Sequence, residues 1–126
     1  MIKIVEDSKG VVIMVKSAPV VMFQDMLDGL NFLKNNEELP REIRIVENAI
    51  GSKADFSISE LNKLSHKMDE VSEKFNNIMH AVVHDDPLNT AFALIIQRRK
   101  LTSNYQLNVF STIEQAYKWI DFDGSN

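Results

Sequence analysis

A chain of 126 residues is long enough for one domain with its own core, burying roughly two thirds of its unfolded surface without help from a metal or a disulfide. The absence of cysteine excludes disulfide scaffolds, thiol nucleophiles and cysteine-based zinc sites, and fits a reducing, cytoplasmic compartment. With 18 acidic against 14 basic side chains and a net charge of -4, there is no basic field for nucleic acid or an anionic membrane, and charges in the first seven residues interrupt any leader-like or membrane-inserting run.

Ile2 to Glu6 and Val11 to Lys16 are short β-rich runs around Asp7-Ser8-Lys9-Gly10, a turn composition that predicts an antiparallel hairpin. Phe23, Met26, Leu27, Leu30 and Leu33 then fall at helical spacing, and the run ends between Asn35 and Pro40. Ile43, Ile45 and Val46 mark a third strand, left by the loop Ile50 to Ala54. Ser57 and Glu60 form a capping box, with Phe56 and Leu61 at the two staple positions, and Ile58, Leu61, Leu64, Met68, Val71 and Phe75 give the helix one apolar side.

The fourth strand, Ile78 to His84, runs into Asp85-Asp86-Pro87, where an Asp cap and a Pro at the first helical position start a helix carrying Leu88, Ala91, Phe92, Ile95 and Ile96 inward. Tyr105 to Phe110 is the fifth strand. Ser111 with Glu114 predicts a second capping box before the last helix, whose stripe is Ile113, Ala116, Tyr117 and Ile120. The result is one α/β domain over residues 1–120, with 121–126 a flexible tail.

A hairpin followed by right-handed crossover units predicts an open mixed five-stranded sheet with about four helices. Polar residues alternate with apolar ones in Tyr105-Gln106-Leu107-Asn108-Val109 and in Ile43-Arg44-Ile45, which predicts helices mainly on one face and a second face partly open. That open face would present Val12, Met14, Arg44, Val46, His80 and Val82, with Ile78 and Gln106 beside them, for contact with a protein partner or a second copy of the chain.

The hairpin-first order, the segment Ile78 to Leu88 and the ending Val109-Phe110-Ser111-Thr112-Ile113-Glu114-Gln115-Ala116-Tyr117-Lys118-Trp119-Ile120 resemble the SpoIIAA-like group of STAS domains, which includes many small stand-alone bacterial proteins. The resemblance implies an open α/β fold and a regulatory, non-enzymatic interaction role. It also implies small or lipid-like ligands as an alternative. STAS domains that antagonise anti-sigma factors are switched at a serine in an Asp-Ser-Ser-Gly-type turn; the matching region here reads Ala54-Asp55-Phe56-Ser57-Ile58-Ser59-Glu60, so Ser57 is read as a cap and not as a phosphorylation site.

Asn48, Ser52, His84, Asp85 and Asn89 sit on the loops after the third and fourth strands, where open α/β sheets place ligands; they are the candidate liners if the chain binds a small molecule or acts as a weak hydrolase. No metal site is expected: on a strand His80 and His84 lie about 13 Å apart, too far to share an ion. His66 reads as a solvated helix residue, and Arg98, Arg99 and Lys100 as cations at a helix end, with Lys118 nearby as a further charge. The reading that follows is a non-enzymatic regulatory or protein-interaction module without cofactor, with ligand binding as the alternative.

Overall fold

The structure, a computed structural model, describes residues 1–99 and 102–124. Strands β1 (Ile2–Asp7) and β2 (Gly10–Lys16) form the expected hairpin. Its two-residue turn is closed by the Asp7 carboxylate accepting from the Lys9 amide at 2.9 Å and by Gly10, whose φ of 124° suits glycine alone. The chain continues through β3 (Val20–Met22), α1 (Phe23–Asn35), β4 (Glu42–Asn48), β5 (Lys53–Asp55), α2 (Ile58–Ser72), β6 (Asn77–Val83), α3 (Pro87–Arg98), β7 (Tyr105–Phe110) and α4 (Ile113–Trp119). Five strands pair in the order β1-β2-β4-β6-β7, antiparallel only between β1 and β2. The fold is therefore α/β with a mixed five-stranded sheet, and four helices lie among the described residues.

Topology dictates which face each helix covers. The steps from β2 to β4 to β6 to β7 all run in one direction, so right-handed crossovers place α1, α2 and α3 on the same side of the sheet. Their apolar stripes meet Ile13, Ile43, Ile45, Ile78, Val82 and Leu107 there. Helix α4 follows the edge strand and has no further strand to reach, so it falls across the opposite face, where Ala116 and Ile120 pack on Val12, Val46, Ala81 and Val83.

This arrangement corrects the predicted open face in two ways. Val12 and Val46 are 0% and 2% exposed and Met14 is half-buried, all packed with the α4 cluster, while Arg44 is buried on the same side. His80, Val82 and Ile78 point the other way, into the three-helix core side, because the register sets Val46 beside Ala81 and Glu47 beside Val82. Parity within one strand follows from its own alternation, but parity between neighbours follows from register, and a one-residue offset reverses it.

Local signals match more closely. Ser57 accepts from the Glu60 amide at 3.3 Å while Glu60 accepts from the Ser57 amide at 2.8 Å, the reciprocal capping box that the sequence predicts. Asp86 caps α3 by accepting from the Asn89 amide at 3.1 Å, with Pro87 first in the helix. The inward face of α3 is turned relative to the prediction: Asn89, Ala93 and Ile96 are buried, whereas Leu88 and Ala91 are exposed. The cap of α4 is Thr112, accepting from the Gln115 amide at 3.2 Å, one residue beyond Ser111, which instead bonds the Gln115 side chain. Part of the predicted Ile50 to Ala54 loop belongs to a strand, since β5 pairs in parallel with β3 as a second small sheet.

On the α4 face one buried cation ties three segments together. Arg44 forms a bidentate pair with Asp7 and also donates to the carbonyls of Gly10 at 3.3 Å and Ile120 at 3.2 Å. The segment after α4, expected as a loose tail, is held there too: Lys9 pairs with Asp121 at 3.5 Å and Asp123 at 3.4 Å, and the Asp123 amide donates to Asp7. Ser125, Asn126 and Lys100 lie outside the described residues.

Candidate functional site

The inward positions of β4, β6 and β7 are apolar except at Glu47 near the end of β4, His80 in the middle of β6 and Tyr105 at the start of β7. All three are buried, and they bond one another: His80 Nε2 lies 2.9 Å from Glu47 Oε1, and His80 Nδ1 lies 2.8 Å from the Tyr105 hydroxyl. Burial opposes the Glu47 charge, yet the His80 hydrogen bond, with lesser electrostatic help from the two nearby imidazoles, outweighs it and holds the carboxyl below the ordinary range. Burial, reinforced by the Glu47 charge, pushes the Tyr105 phenol up, so it stays protonated. An ionised carboxylate only accepts, so Nε2 of His80 donates to it, and Tyr105 meets the other ring nitrogen.

Two cavities meet at this network. The larger, about 470 Å³, lies between α1 and the sheet and is walled by Ile13, Val15, Leu30, Leu33, Ile45 and Tyr105. Helix α1 leans on α2 and β3, and it stands off the sheet enough to leave this space. The smaller, about 60 Å³, lies under the carboxyl ends of β4 and β6, with Ser52, His84, Asn89 and Phe92 in its wall. Glu47 and His80 belong to both walls.

The loops after β4 and β6 hold the smaller cavity in shape. Asn48 accepts from the Ile50 amide at 3.1 Å, and Asp85 accepts from the Gly51 amide at 2.9 Å, where a φ of 81° calls for glycine. Asn89 accepts from the Ala54 amide at 2.8 Å and donates to the Ser52 carbonyl, joining α3 to the loop before β5. Ser52 is 2% exposed, and among the described residues neither its Oγ nor the buried Nδ1 of His84 has a hydrogen-bond partner. Burial pushes the His84 imidazole down from its ordinary value despite the opposing pull of Glu47, Asp85 and Asp86.

Of the five liners expected from the sequence, the structure brings Ser52, His84 and Asn89 to one cavity, while Asn48 and Asp85 hold the adjacent loop. Glu47 and Tyr105 were missed, and His80 was placed on the wrong face. The signal for two of them was present: Ile-Val-Glu and Met-His-Ala each put a charged or titratable group in an apolar strand, which burial permits only with a partner. Among the described residues, no group of three or more His, Asp or Glu is gathered to hold a metal, and no helix is long and apolar enough to cross a membrane. Comparison with protein-family models, curated proteins and solved structures finds no match.

Proposed function

We propose that this chain is a non-enzymatic binding protein for a small, largely apolar molecule that lies between α1 and the sheet. The observation that carries this reading is the 470 Å³ cavity with a buried hydrogen-bonded Glu47–His80–Tyr105 network in its wall. Its size falls in the range of small-molecule sites, and its mix of an apolar lining with few convergent polar groups is what such sites use to fix orientation. Interiors otherwise pack densely, so a cavity of that volume beneath a helix departs from ordinary core packing.

Gly29 adds support. It lies within α1, lines the larger cavity, and a Cβ built on it meets nothing within 4 Å, so no steric demand of the fold explains a residue that weakens the helix. Its absent side chain leaves room for an occupant. Titration with the neutral dye Nile red, followed by fluorescence, tests the reading. Wild type should bind about one dye per chain, and Gly29→Leu should lose that binding while melting no lower than wild type, since leucine favours a helix by roughly 0.5–1 kcal/mol over glycine. Absence of saturable binding, or binding that Gly29→Leu leaves unchanged, sinks the proposal.

The SpoIIAA-like regulatory module is the second reading. The α4-covered face no longer serves it, but the edge strand β1 does, because Met1, Ile2 and Ile4 are exposed along an unpaired strand edge suited to pairing with a partner or a second copy.

A further inference from the structure

We infer that the ligand's polar end is a protonated amine, seated against Glu47 in the smaller cavity while its apolar body fills the larger one. This rests on the ligand-binding reading above and names the chemical class that the site selects.

The first ground is charge. Among the described residues no lysine or arginine lines the smaller cavity, and Glu47 is its acidic wall residue. Among the described residues the larger cavity adds Asp25 and Asp28 against Lys16 and the Met1 α-amino group, which are engaged with the carbonyls of Ile50 and Lys16, each at 3.0 Å. Asp25 accepts from the Met22 amide at 2.7 Å and Asp28 from Gln24 at 2.8 Å, and among the described residues no lysine or arginine pairs with either. A carboxylate-bearing ligand would meet like charge at Glu47, whose burial leaves the repulsion least screened.

The second ground is hydrogen-bonding capacity. Among the described residues the Glu47 carboxylate bonds only His80, through Oε1, leaving Oε2 to accept. Ser52 Oγ and His84 Nδ1 are buried without partners in the same wall. Burial favours the uncharged His84 imidazole, which can present Nδ1 as an acceptor. A primary ammonium carries three donors and no acceptor. The residues of this wall thus carry, among the described residues, three acceptors to spare, as many as an ammonium has donors, and two of them are buried atoms left without a partner. An alcohol brings one donor and no charge, so it gains less from the same wall.

Calorimetric titration of the purified protein at neutral pH with decylamine, decanol and decanoate, each kept below its micellar concentration, decides the matter. Decylamine should bind about tenfold or more tighter than decanol, a difference equivalent to about 1.4 kcal/mol, and decanoate should bind weakest. Glu47→Gln should remove the preference of amine over alcohol. Should Glu47→Gln fail to fold, Ser52→Ala and His84→Phe supply the same comparison, each narrowing the gap between amine and alcohol. Decanoate binding as tightly as decylamine, or a preference untouched by all three substitutions, overturns the amine while the ligand-binding reading stands. Failure of all three compounds to bind overturns both.

Discussion

The two faces of the sheet are built from the same five strands but put to different uses. On the three-helix face, α1 leans on its helical neighbour, leaves a cavity beneath it, and shelters a buried network of Glu47, His80 and Tyr105. On the other face, the seven-residue α4 sets Ala116 and Ile120 directly on the strands, and Arg44 closes the hairpin turn and the chain end over them. A small residue at the contact lets a short helix lie flush. Three longer helices constrained by crossover connections must share one face, and a helix supported from the side need not descend onto the sheet. The contrast teaches that buried polar atoms differ in how far the chain itself satisfies them: Arg44 has its acceptors within the chain, whereas among the described residues Ser52 Oγ and His84 Nδ1 have no partner.

The largest expected effect breaks the closed face. Arg44→Ala leaves Asp7 buried without its cation, and loss of one partner from a buried pair costs about 3–5 kcal/mol. Urea denaturation measures it, and the binding of Nile red to folded protein should be unchanged, because Arg44 lies on the opposite side of the sheet. Acid sharpens the same point. The hydrogen bond from Arg44, acting against burial, lowers the Asp7 carboxyl from 3.8 to about 2. A depressed folded-state value means that the pair's contribution is fully present above pH 3.8 and is lost as pH falls toward about 2. Arg44→Ala should flatten the stability profile over that window; a mutant with the same acid profile as wild type would contradict the clamp.

A smaller effect is expected on the three-helix face. Tyr105→Phe keeps the ring but leaves His80 Nδ1 without its partner, at a cost of about 1–3 kcal/mol in denaturant unfolding. A neutral result would mean that water replaces the hydroxyl and that the network is wet. The smallest effect on the fold belongs to the rim. Ile4→Lys, at an exposed edge position, should move stability by no more than about 0.5 kcal/mol, yet it should abolish any self-association seen by sedimentation velocity if the β1 edge is an interface. Association that survives the lysine removes support from the interaction-module reading.

How much of this was legible follows from the range of each interaction. The hairpin turn at Ser8 and Lys9, the Ser57–Glu60 box and the Asp86–Pro87 start depend on groups two to three residues apart, and the sequence by itself determined them. The Thr112 cap was displaced by one residue because Ser111 and Thr112 are chemically alike and Gln115 can serve either. Strand β5 escaped notice because three residues are too short to show alternation, and its pairing with Val20–Met22 is contact across more than thirty residues.

The site was readable only in fragments. Loop position at the carboxyl ends of β4 and β6 identified Ser52, His84 and Asn89 as candidates, which is a property of chain order in parallel sheets. That Glu47 reaches His80, and that both face α1 instead of α4, depends on the register of β4 against β6, a choice made by packing across the whole sheet. Local chemistry thus set the longer elements and the caps of α2 and α3 from the sequence alone, through interactions between near neighbours. The tertiary structure alone decided which face is closed, where the cavity lies and which polar atoms are left without partners, because those follow from side chains that meet only once the sheet is assembled.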